Sequence, residues 1–190
     1  MKSHQRTMSY KKIIALAIAV LVGGGILYYA LAPINTVVDF DYGHDGREIQ
    51  ALFKRDWYWL VAAPERYYDL DFVLRYKAVH QDISTAGCLQ IKVLRENNEF
   101  KGFVAYYIEK NPKIGCILFL SVKDDVRRKG YGERLARYAI DDLFAQGCTK
   151  IDIVTRPSNE RALNLYKNKL GFKETHRDDD FVSLEFIKNT

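Results

Sequence analysis

The sequence predicts one mixed α/β domain with the element order β-α-α-β-β-β-α-β-α-β-β, preceded by a single transmembrane helix. Apolar residues alternate with polar ones in several short segments and recur every three or four residues in others. A third observation is a stretch of twenty-six residues, from position 13 to 38, without a charged side chain. The predicted parts are a basic flank at residues 1–12, a transmembrane helix at 13–32 and the domain at 33–190.

The uncharged stretch has the length of a membrane span. Its most apolar part, residues 13–32, would extend over about 30 Å as a helix, which is the thickness of a bilayer's hydrocarbon core. Ala30-Leu31-Ala32 has the A-x-A form of a signal-peptidase site, so a cleaved signal peptide is the alternative. The run is longer than the core of about 7–15 residues in signal peptides, which favours an uncleaved anchor.

Composition and charge exclude several classes of protein. Hydrophobic residues are 48% and charged residues 28%, which excludes a disordered chain. Four of the basic residues precede position 13, which leaves 25 basic and 24 acidic residues from Ile13 onward. A nearly neutral domain has little electrostatic reason to bind nucleic acid. Neither the three cysteines nor the four histidines have metal-ligand spacing, so no metal site or disulfide framework is expected.

The first part of the domain is predicted to hold a strand and two helices. Residues 36–41 are rich in β-branched side chains and predict a short strand. Asp45 and Glu48 form an acidic variant of the capping box before a helix that passes through Trp57. A second helix is expected to begin at Pro64, because proline favours the first helical position.

Three strands in series are predicted next. Residues 89–93 alternate apolar and polar, and Asn97-Asn98 favours a turn into a second strand at 100–109. Asn111-Pro112 marks the following turn. Residues 114–122 are almost wholly apolar, as expected of a strand that is covered on both faces.

The last part of the domain alternates helices and strands. An apolar stripe predicts a helix at 132–146, and residues 151–154 form another strand. Ser158 is expected to cap the next helix, which Gly171 ends. Two final strands flank the acidic turn at 178–180.

The segment from Arg127 to Gly132 carries the clearest chemical signal. A buried strand runs into a basic turn with two glycines, which opens directly into an amphipathic helix. The first N–H groups of a helix have no internal partner, and its dipole adds positive charge there. Gly130 and Gly132 leave those amides accessible, while Arg127, Arg128 and Lys129 are expected to add charge at the rim. The pattern predicts a cradle for a phosphate or pyrophosphate, with an ordinary solvated turn as the alternative.

Two motifs in this order resemble the GNAT N-acetyltransferase superfamily. Arg127-x-x-Gly130-x-Gly132 matches the family's R/Q-x-x-G-x-G/A signature, which binds the pyrophosphate of acetyl-CoA. Asn159-x-x-Ala162-x-x-Leu165-Tyr166, followed by Gly171-Phe172, is similar to the family's second conserved block. The predicted element order also agrees over residues 36–188, so the resemblance implies a GNAT-like acyl-CoA N-acyltransferase fold.

The resemblance also implies a reaction and a site. An acetyl group would pass from acetyl-CoA, a cosubstrate, to a primary amine by direct attack, without a metal. The sheet is expected to splay after the strand that contains Leu120, so that its backbone pairs with the pantetheine arm and an amide faces the thioester carbonyl. Tyr166 would act as general acid toward the leaving thiolate. The residues expected to bind the cofactor are Leu120, Val122, Arg127, Arg128, Lys129, Gly130, Tyr131, Gly132 and Asn159.

The sequence departs from the family in two places. Asp124 stands where a proline is usual, which is expected to change only the turn. Cys116 stands where many members carry a glutamate as general base, and it is interpreted as a structural cysteine, with an acylated nucleophile as the alternative. The open candidates for the base are Glu109, Glu185, or a water relay from Tyr106 or Tyr107. The missing glutamate also motivates an alternative function, a non-catalytic membrane-tethered module that binds acyl-CoA or a protein.

The amine acceptor and the side of the membrane stay open. In the family, the first two helices and the turn at 178–180 border the acceptor groove, although core packing explains their aromatic residues equally well. These residues are Trp57, Tyr58, Trp59, Tyr67, Tyr68, Phe72 and Tyr76. Four basic residues precede the span and only Arg47 lies within twenty residues after it, which favours a domain outside the cytoplasm. The supply of acetyl-CoA and the three cysteines favour the cytoplasmic side.

Overall fold

A seven-stranded sheet organises the described part of the chain, which in this computed structural model comprises residues 35–61, 68–110 and 113–188. The strand order is β1-β2-β3-β4-β5-β7-β6, and every neighbouring pair is antiparallel except the parallel pair β4–β5. The strands are β1 (Asn35–Asp39), β2 (Gln90–Glu96), β3 (Glu99–Glu109), β4 (Ile114–Val122), β5 (Lys150–Thr155), β6 (Lys173–Arg177) and β7 (Val182–Ile187).

Four helices connect these strands. They are α1 (Tyr42–Leu60), α2 (Leu70–Tyr76), α3 (Tyr131–Ala145) and α4 (Glu160–Leu163), and α4 continues as a π-helical segment over Asn164–Lys169. Short 3-10 turns lie at Ile83–Thr85 and Asp124–Val126. The order of the described elements confirms the predicted β-α-α-β-β-β-α-β-α-β-β arrangement.

The sheet separates two hydrophobic cores. One core lies against α3 and the π-helical segment and includes Leu135 and Ile117. The other lies against α1 and α2 and includes Phe53 and Phe119. Ile117 and Phe119 both belong to β4, so this strand is covered on both faces, as its nearly continuous apolar sequence predicted.

Two predicted helix caps are wrong by one residue or more. Helix α1 is capped by Asp41, whose carboxylate accepts the His44 N–H at 2.8 Å, and not by a box of Asp45 and Glu48. Asp45 is buried instead, because Arg95 of β2 supplies a charged partner. Asn159, and not Ser158, caps α4. The helix start predicted at Pro64 lies outside the described residues, and α2 begins after an Asp69 cap.

The predicted basic flank and transmembrane helix, at residues 1–12 and 13–32, lie outside the described residues. Among the residues that are described, no helix combines the length and apolar character needed to cross a membrane. The anchor therefore stays a prediction from the sequence.

Candidate functional site

β4 and β5 pair over only part of their length. The parallel ladder ends at the Ile117–Ile153 pair. Beyond it, Thr155 of β5 still pairs with β7, whereas Leu120 and Val122 of β4 pair only with β3. A bulge in the β3–β4 ladder coincides with this separation. One edge of residues 118–122 therefore faces a gap in the sheet, as the resemblance led us to expect.

Helix α3 begins at this end of β4 without a side-chain cap. Its N-cap is Gly130, at φ 86°, whereas α1, α2 and α4 begin with Asp41, Asp69 and Asn159 caps. The first N–H groups of α3 therefore lack an intrahelical acceptor and a capping oxygen. A Cβ built on Gly130 would meet nothing within 4 Å, so the space beside Gly130 at the start of α3 is open. This arrangement has the features of the anion cradle that the glycine pattern predicts, and the binding of an anion there stays a prediction.

The side chain of Arg127, which was predicted to add charge at the rim of this cradle, is turned toward two carboxylates. Its Nη2 atom is 3.0 Å from Oδ1 of Asp56, and its Nη1 atom is 2.9 Å from Oδ1 of Asp124. Asp56 of α1 and Asp124 of the 3-10 turn therefore neutralise the guanidinium. Arg128 and Lys129 are exposed and remain as the charged rim.

The side chain of Tyr131 also points away from the cradle. Its ring is buried, and its hydroxyl donates a hydrogen bond to Glu96 of β2. This hydrogen bond raises the pKa of the Tyr131 phenol. Of the polar groups of Tyr131, the main-chain N–H and not the side-chain hydroxyl is therefore placed to bind a ligand at the start of α3.

The structure brings the two predicted motifs together. A Cβ on Gly132, in the first turn of α3, would lie 3.8 Å from Cδ2 of Leu165 in the π-helical segment. Asn159 accepts the Ala162 N–H at 3.3 Å and donates to the Thr155 hydroxyl at 3.3 Å. Because parallel strands end at the same edge of a sheet, the starts of α3 and α4 both lie where β4 and β5 separate.

Tyr166 lies in the π-helical segment, where the Leu170 N–H donates to the Leu165 carbonyl at 3.0 Å. Only 6% of the residue is exposed, and its ring packs against Phe172 with 5.9 Å between centroids. Burial raises the pKa of its phenol, so the group stays protonated at neutral pH.

Four polar side chains form a row on the other face of the sheet. The register places Tyr107 of β3, Cys116 of β4, Asp152 of β5 and Glu185 of β7 side by side. Lys150 joins the row, with its Nζ atom 3.0 Å from Oδ2 of Asp152 and 3.7 Å from Oε2 of Glu185. This polar row (Tyr107, Cys116, Lys150, Asp152 and Glu185) includes one carboxylate that the sequence reasoning missed, Asp152.

The polar row narrows the candidates for a general base. Tyr106, one of the open candidates, faces α3 and donates to Oδ2 of Asp142 at 2.8 Å, on the face of the sheet opposite the polar row. Glu109 is exposed and pairs with Ile114, at the end of β4 away from the gap. Burial raises the pKa of Cys116 to about 11, so its thiol is neutral at pH 7 and suits a structural role better than a nucleophilic one.

The aromatic residues of the first helices divide between core and surface. Trp57 and Tyr68 pack around Phe53 in the α1-side core, whereas Tyr58 and Trp59 are 50% and 42% exposed. Arg156 donates to the Tyr58 carbonyl at 2.6 Å and so holds the end of α1 beside the carboxyl end of β5. Tyr67 lies outside the described residues.

The acidic turn at residues 178–180 is stabilised by its own hydrogen bonds, and the described residues supply no metal ligands to the site. The carboxylate of Asp178 accepts the N–H groups of Asp180 and Phe181 at 2.8 and 2.7 Å, so it stabilises its own turn. In the described part of the chain, no group of three or more histidine, cysteine or acidic side chains is arranged to hold a metal ion.

Comparison of the chain with curated protein sequences gives a short match. It is 29% identical over 66 residues to the mycothiol acetyltransferase of Corynebacterium jeikeium. The match covers 35% of this chain and 19% of that protein. It therefore spans only about a fifth of the relative.

Solved structures share the fold at low identity. The spermidine N-acetyltransferase of Vibrio cholerae, in complex with CoA and spermine, has a TM-score of 0.65 and 19% identity over 80% of this chain and 95% of that chain. PaiA N-acetyltransferase of Thermoplasma acidophilum, in complex with coenzyme A, has a TM-score of 0.61 and 16% identity over 82% and 99%. The ribosomal-protein-S18-alanine N-acetyltransferase of Escherichia coli has a TM-score of 0.58 and 16% identity over 81% and 94%.

The model of the acetyltransferase (GNAT) family matches residues 47–172, which is more than half of the chain and includes both motifs. The match begins in α1 and ends just before β6, so it contains the gap between β4 and β5 and the uncapped start of α3. This chain therefore belongs to the GNAT family of acetyltransferases.

Proposed function

We propose that the protein is an N-acetyltransferase that transfers an acetyl group from acetyl-CoA to a primary amine by direct attack. The observation that carries this proposal is the uncapped start of α3 at Gly130, next to the gap between β4 and β5. Free helix amides favour a diphosphate, and a free strand edge favours the amide-containing pantetheine arm. The complexes of the Vibrio and Thermoplasma proteins with CoA support the same donor.

Acid and base functions are assigned to opposite faces of the sheet. The neutral amine nitrogen attacks the thioester carbonyl carbon, so that a carbon–nitrogen bond forms and the carbon–sulfur bond breaks. Tyr166, on the α3 side, donates its proton to the departing thiolate. The proton lost by the nitrogen passes to a carboxylate of the polar row, for which Asp152 is the best-placed group because it adjoins Cys116. Exchange with water then returns a proton to Tyr166 and removes the proton from the carboxylate.

The amine acceptor is proposed to approach from the α1 side, where the polar row and the exposed rings of Tyr58 and Trp59 lie. The carboxylates of Asp152 and Glu185 favour a cationic amine over an acidic one, although Lys150 offsets part of their charge. The amine must lose its proton before it attacks, so the rate should rise with pH toward the pKa of the acceptor.

We further propose that residues 13–32 anchor the enzyme in a membrane as a single-pass helix. The proposal rests on the twenty-six uncharged residues from position 13 to 38 and on the basic residues before them. The domain is proposed to lie on the cytoplasmic side of the membrane, because acetyl-CoA, its proposed donor, is a cytosolic metabolite.

Calorimetry with acetyl-CoA, paired with an assay of thiol release over a panel of amines, tests the transferase proposal. The panel should hold spermidine, spermine and a peptide with an amino-terminal alanine, chosen after the spermidine N-acetyltransferase, the spermine bound to it, and the ribosomal-protein-S18-alanine N-acetyltransferase. We expect binding of acetyl-CoA and amine-dependent release of thiol. Binding without release by any amine would favour the non-catalytic module that Cys116, in place of a glutamate, suggests. Failure to bind acetyl-CoA would exclude both.

A further inference from the structure

A buried carboxylate on α1 connects three elements around the anion cradle. Asp56 is 8% exposed, and its Oδ2 atom accepts the Ser121 hydroxyl at 2.6 Å. Its Oδ1 atom accepts Nε of Arg55 at 2.8 Å and Nη2 of Arg127 at 3.0 Å. The donors belong to α1, to the last residues of β4 and to the loop before α3, so one side chain joins all three.

A second carboxylate completes this cluster. Asp124 accepts Nη1 of Arg55 at 3.1 Å and Nη1 of Arg127 at 2.9 Å. Arg55 also donates from Nη2 to the Val122 carbonyl at 2.9 Å. The cluster of Arg55, Asp56, Ser121, Asp124 and Arg127 therefore spans the turn between the strand edge and the cradle.

The loop has few strong bonds of its own. Its backbone hydrogen bonds are long: the Val126 and Arg127 amides donate to Lys123 and Asp124 at 3.2 Å, and the Lys129 amide donates to Val126 at 3.4 Å. Arg128 has a φ of 63°, which costs free energy for a residue with a side chain. Charge-assisted hydrogen bonds to a buried carboxylate are stronger than such backbone bonds. The cluster therefore restrains the loop on its α1 side, in addition to the packing of Val126 in the core.

We propose that Asp56 is a positioning residue, which holds the Arg127–Gly132 segment so that the amides at the start of α3 converge on the diphosphate of the donor. Asp56 does not contact the ligand; it acts through Arg127 and Ser121. The inference rests on the proposed use of acetyl-CoA. It gives Arg127 a role different from the one expected of a rim residue, since its charge is already neutralised by two carboxylates.

The test compares two buried aspartates of the same helix. Asp56→Asn keeps the shape of the side chain but replaces one acceptor by a donor that faces Arg55 and Arg127. Asp45→Asn is the matched control, because Asp45 is 1% exposed and is paired with Arg95, away from the loop. Asp124→Asn is a milder variant whose side chain is largely exposed, so folding is preserved. Each variant is titrated by calorimetry with acetyl-CoA and with S-acetylpantetheine, which lacks the diphosphate.

We expect Asp56→Asn to raise the Kd for acetyl-CoA by about tenfold or more and to leave the Kd for S-acetylpantetheine within about twofold. Asp124→Asn should shift the first value in the same direction by less, and Asp45→Asn should lower the melting temperature without changing either Kd. The inference is overturned if the wild type binds acetyl-CoA and Asp56→Asn binds it equally well, or loses both thioesters equally. A wild type that does not bind acetyl-CoA would instead refute the proposed function.

Discussion

Cys116 on β4 lies directly beside Asp152 on β5, at the last but one paired position before the two strands separate. A neutral thiol in this place cannot accept a proton at pH 7, because burial raises its pKa to about 11. The neighbouring side chain, Asp152, supplies the carboxylate that Cys116 lacks. The proposed general base therefore lies on β5, the strand beside β4, and not on β4 itself.

We expect Asp152→Asn to lower kcat by about a hundredfold, which is typical of the loss of a positioned base. The Kd for acetyl-CoA should stay unchanged, because the donor's diphosphate is assigned to the start of α3. Steady-state kinetics with the best amine of the panel provide the measurement. Glu185→Gln is the matched control, one strand farther from the gap. A kcat for Asp152→Asn equal to that of the wild type would leave the amine to lose its proton to water.

Tyr166→Phe should also lower kcat while it leaves the affinity for acetyl-CoA nearly intact, because only the phenolic hydroxyl is removed from a ring that packs against Phe172. Rapid-quench or steady-state kinetics at several pH values would measure the effect. Tyr106→Phe is the control: it removes a buried hydroxyl that donates to Asp142, so it should lower stability and not turnover. Unchanged turnover of Tyr166→Phe would remove Tyr166 from the mechanism.

Substitution of the cradle glycines should abolish donor binding. Gly132→Glu places a carboxylate at the amides that are expected to bind the diphosphate, so acetyl-CoA should no longer bind in calorimetry. Gly132→Ala is the matched control, because its Cβ would make only ordinary contact with Leu165 at 3.8 Å. This variant should bind acetyl-CoA and gain up to about 1 kcal/mol of stability from the better helix former. Binding of acetyl-CoA to Gly132→Glu with wild-type affinity would place the diphosphate elsewhere.

The stability of the domain should depend on pH through Asp56. Burial alone would raise the pKa of this carboxyl, but hydrogen bonds from Arg55 and Ser121 and the charges of Arg55 and Arg127 outweigh burial and lower it. A lowered pKa in the folded state means that the unfolded chain binds more protons in this range. The stabilisation is thus complete above the ordinary aspartate pKa of about 3.9 and is lost as the pH falls through the folded-state value.

Urea denaturation of the wild type and Asp56→Asn between pH 7 and pH 3 tests this dependence. The wild type should be more stable at pH 7, and the difference between the two proteins should shrink below about pH 4. A difference that stays constant over the whole range would show that the carboxylate's charge contributes nothing to stability.

Cys88 offers a test of the membrane anchor and its orientation, because it is an exposed free cysteine of the domain. If the enzyme uses cytosolic acetyl-CoA, a membrane-impermeant maleimide should label Cys88 only after cells are permeabilised. A chain that lacks residues 1–32 should move from the membrane fraction to the supernatant. Labelling of Cys88 on intact cells would place the domain outside, as the positive-inside rule favours.

Local patterns in the sequence were sufficient to predict the element order, the apolar β4 strand and the glycine-containing turn that opens into α3. Each of these depends on a period or a spacing within a few residues, where backbone geometry dictates the outcome. The predicted family is likewise carried by two short motifs, and the family model matches the residues that contain both. The structure brings the two motifs into contact, since a Cβ on Gly132 would lie 3.8 Å from Leu165.

Only the tertiary structure decided which side chains reach the site. Arg127 pairs with Asp56, which is 71 residues away in the sequence, and no local spacing predicts that contact. Tyr106 and Tyr107 are neighbours in one strand, yet one faces α3 and the other faces Cys116, because successive side chains point to opposite faces of a sheet. Asp152 became a candidate base only when the parallel register placed it beside Cys116. Contacts of this kind depend on how separate elements pack, which the order of residues along one element does not reveal.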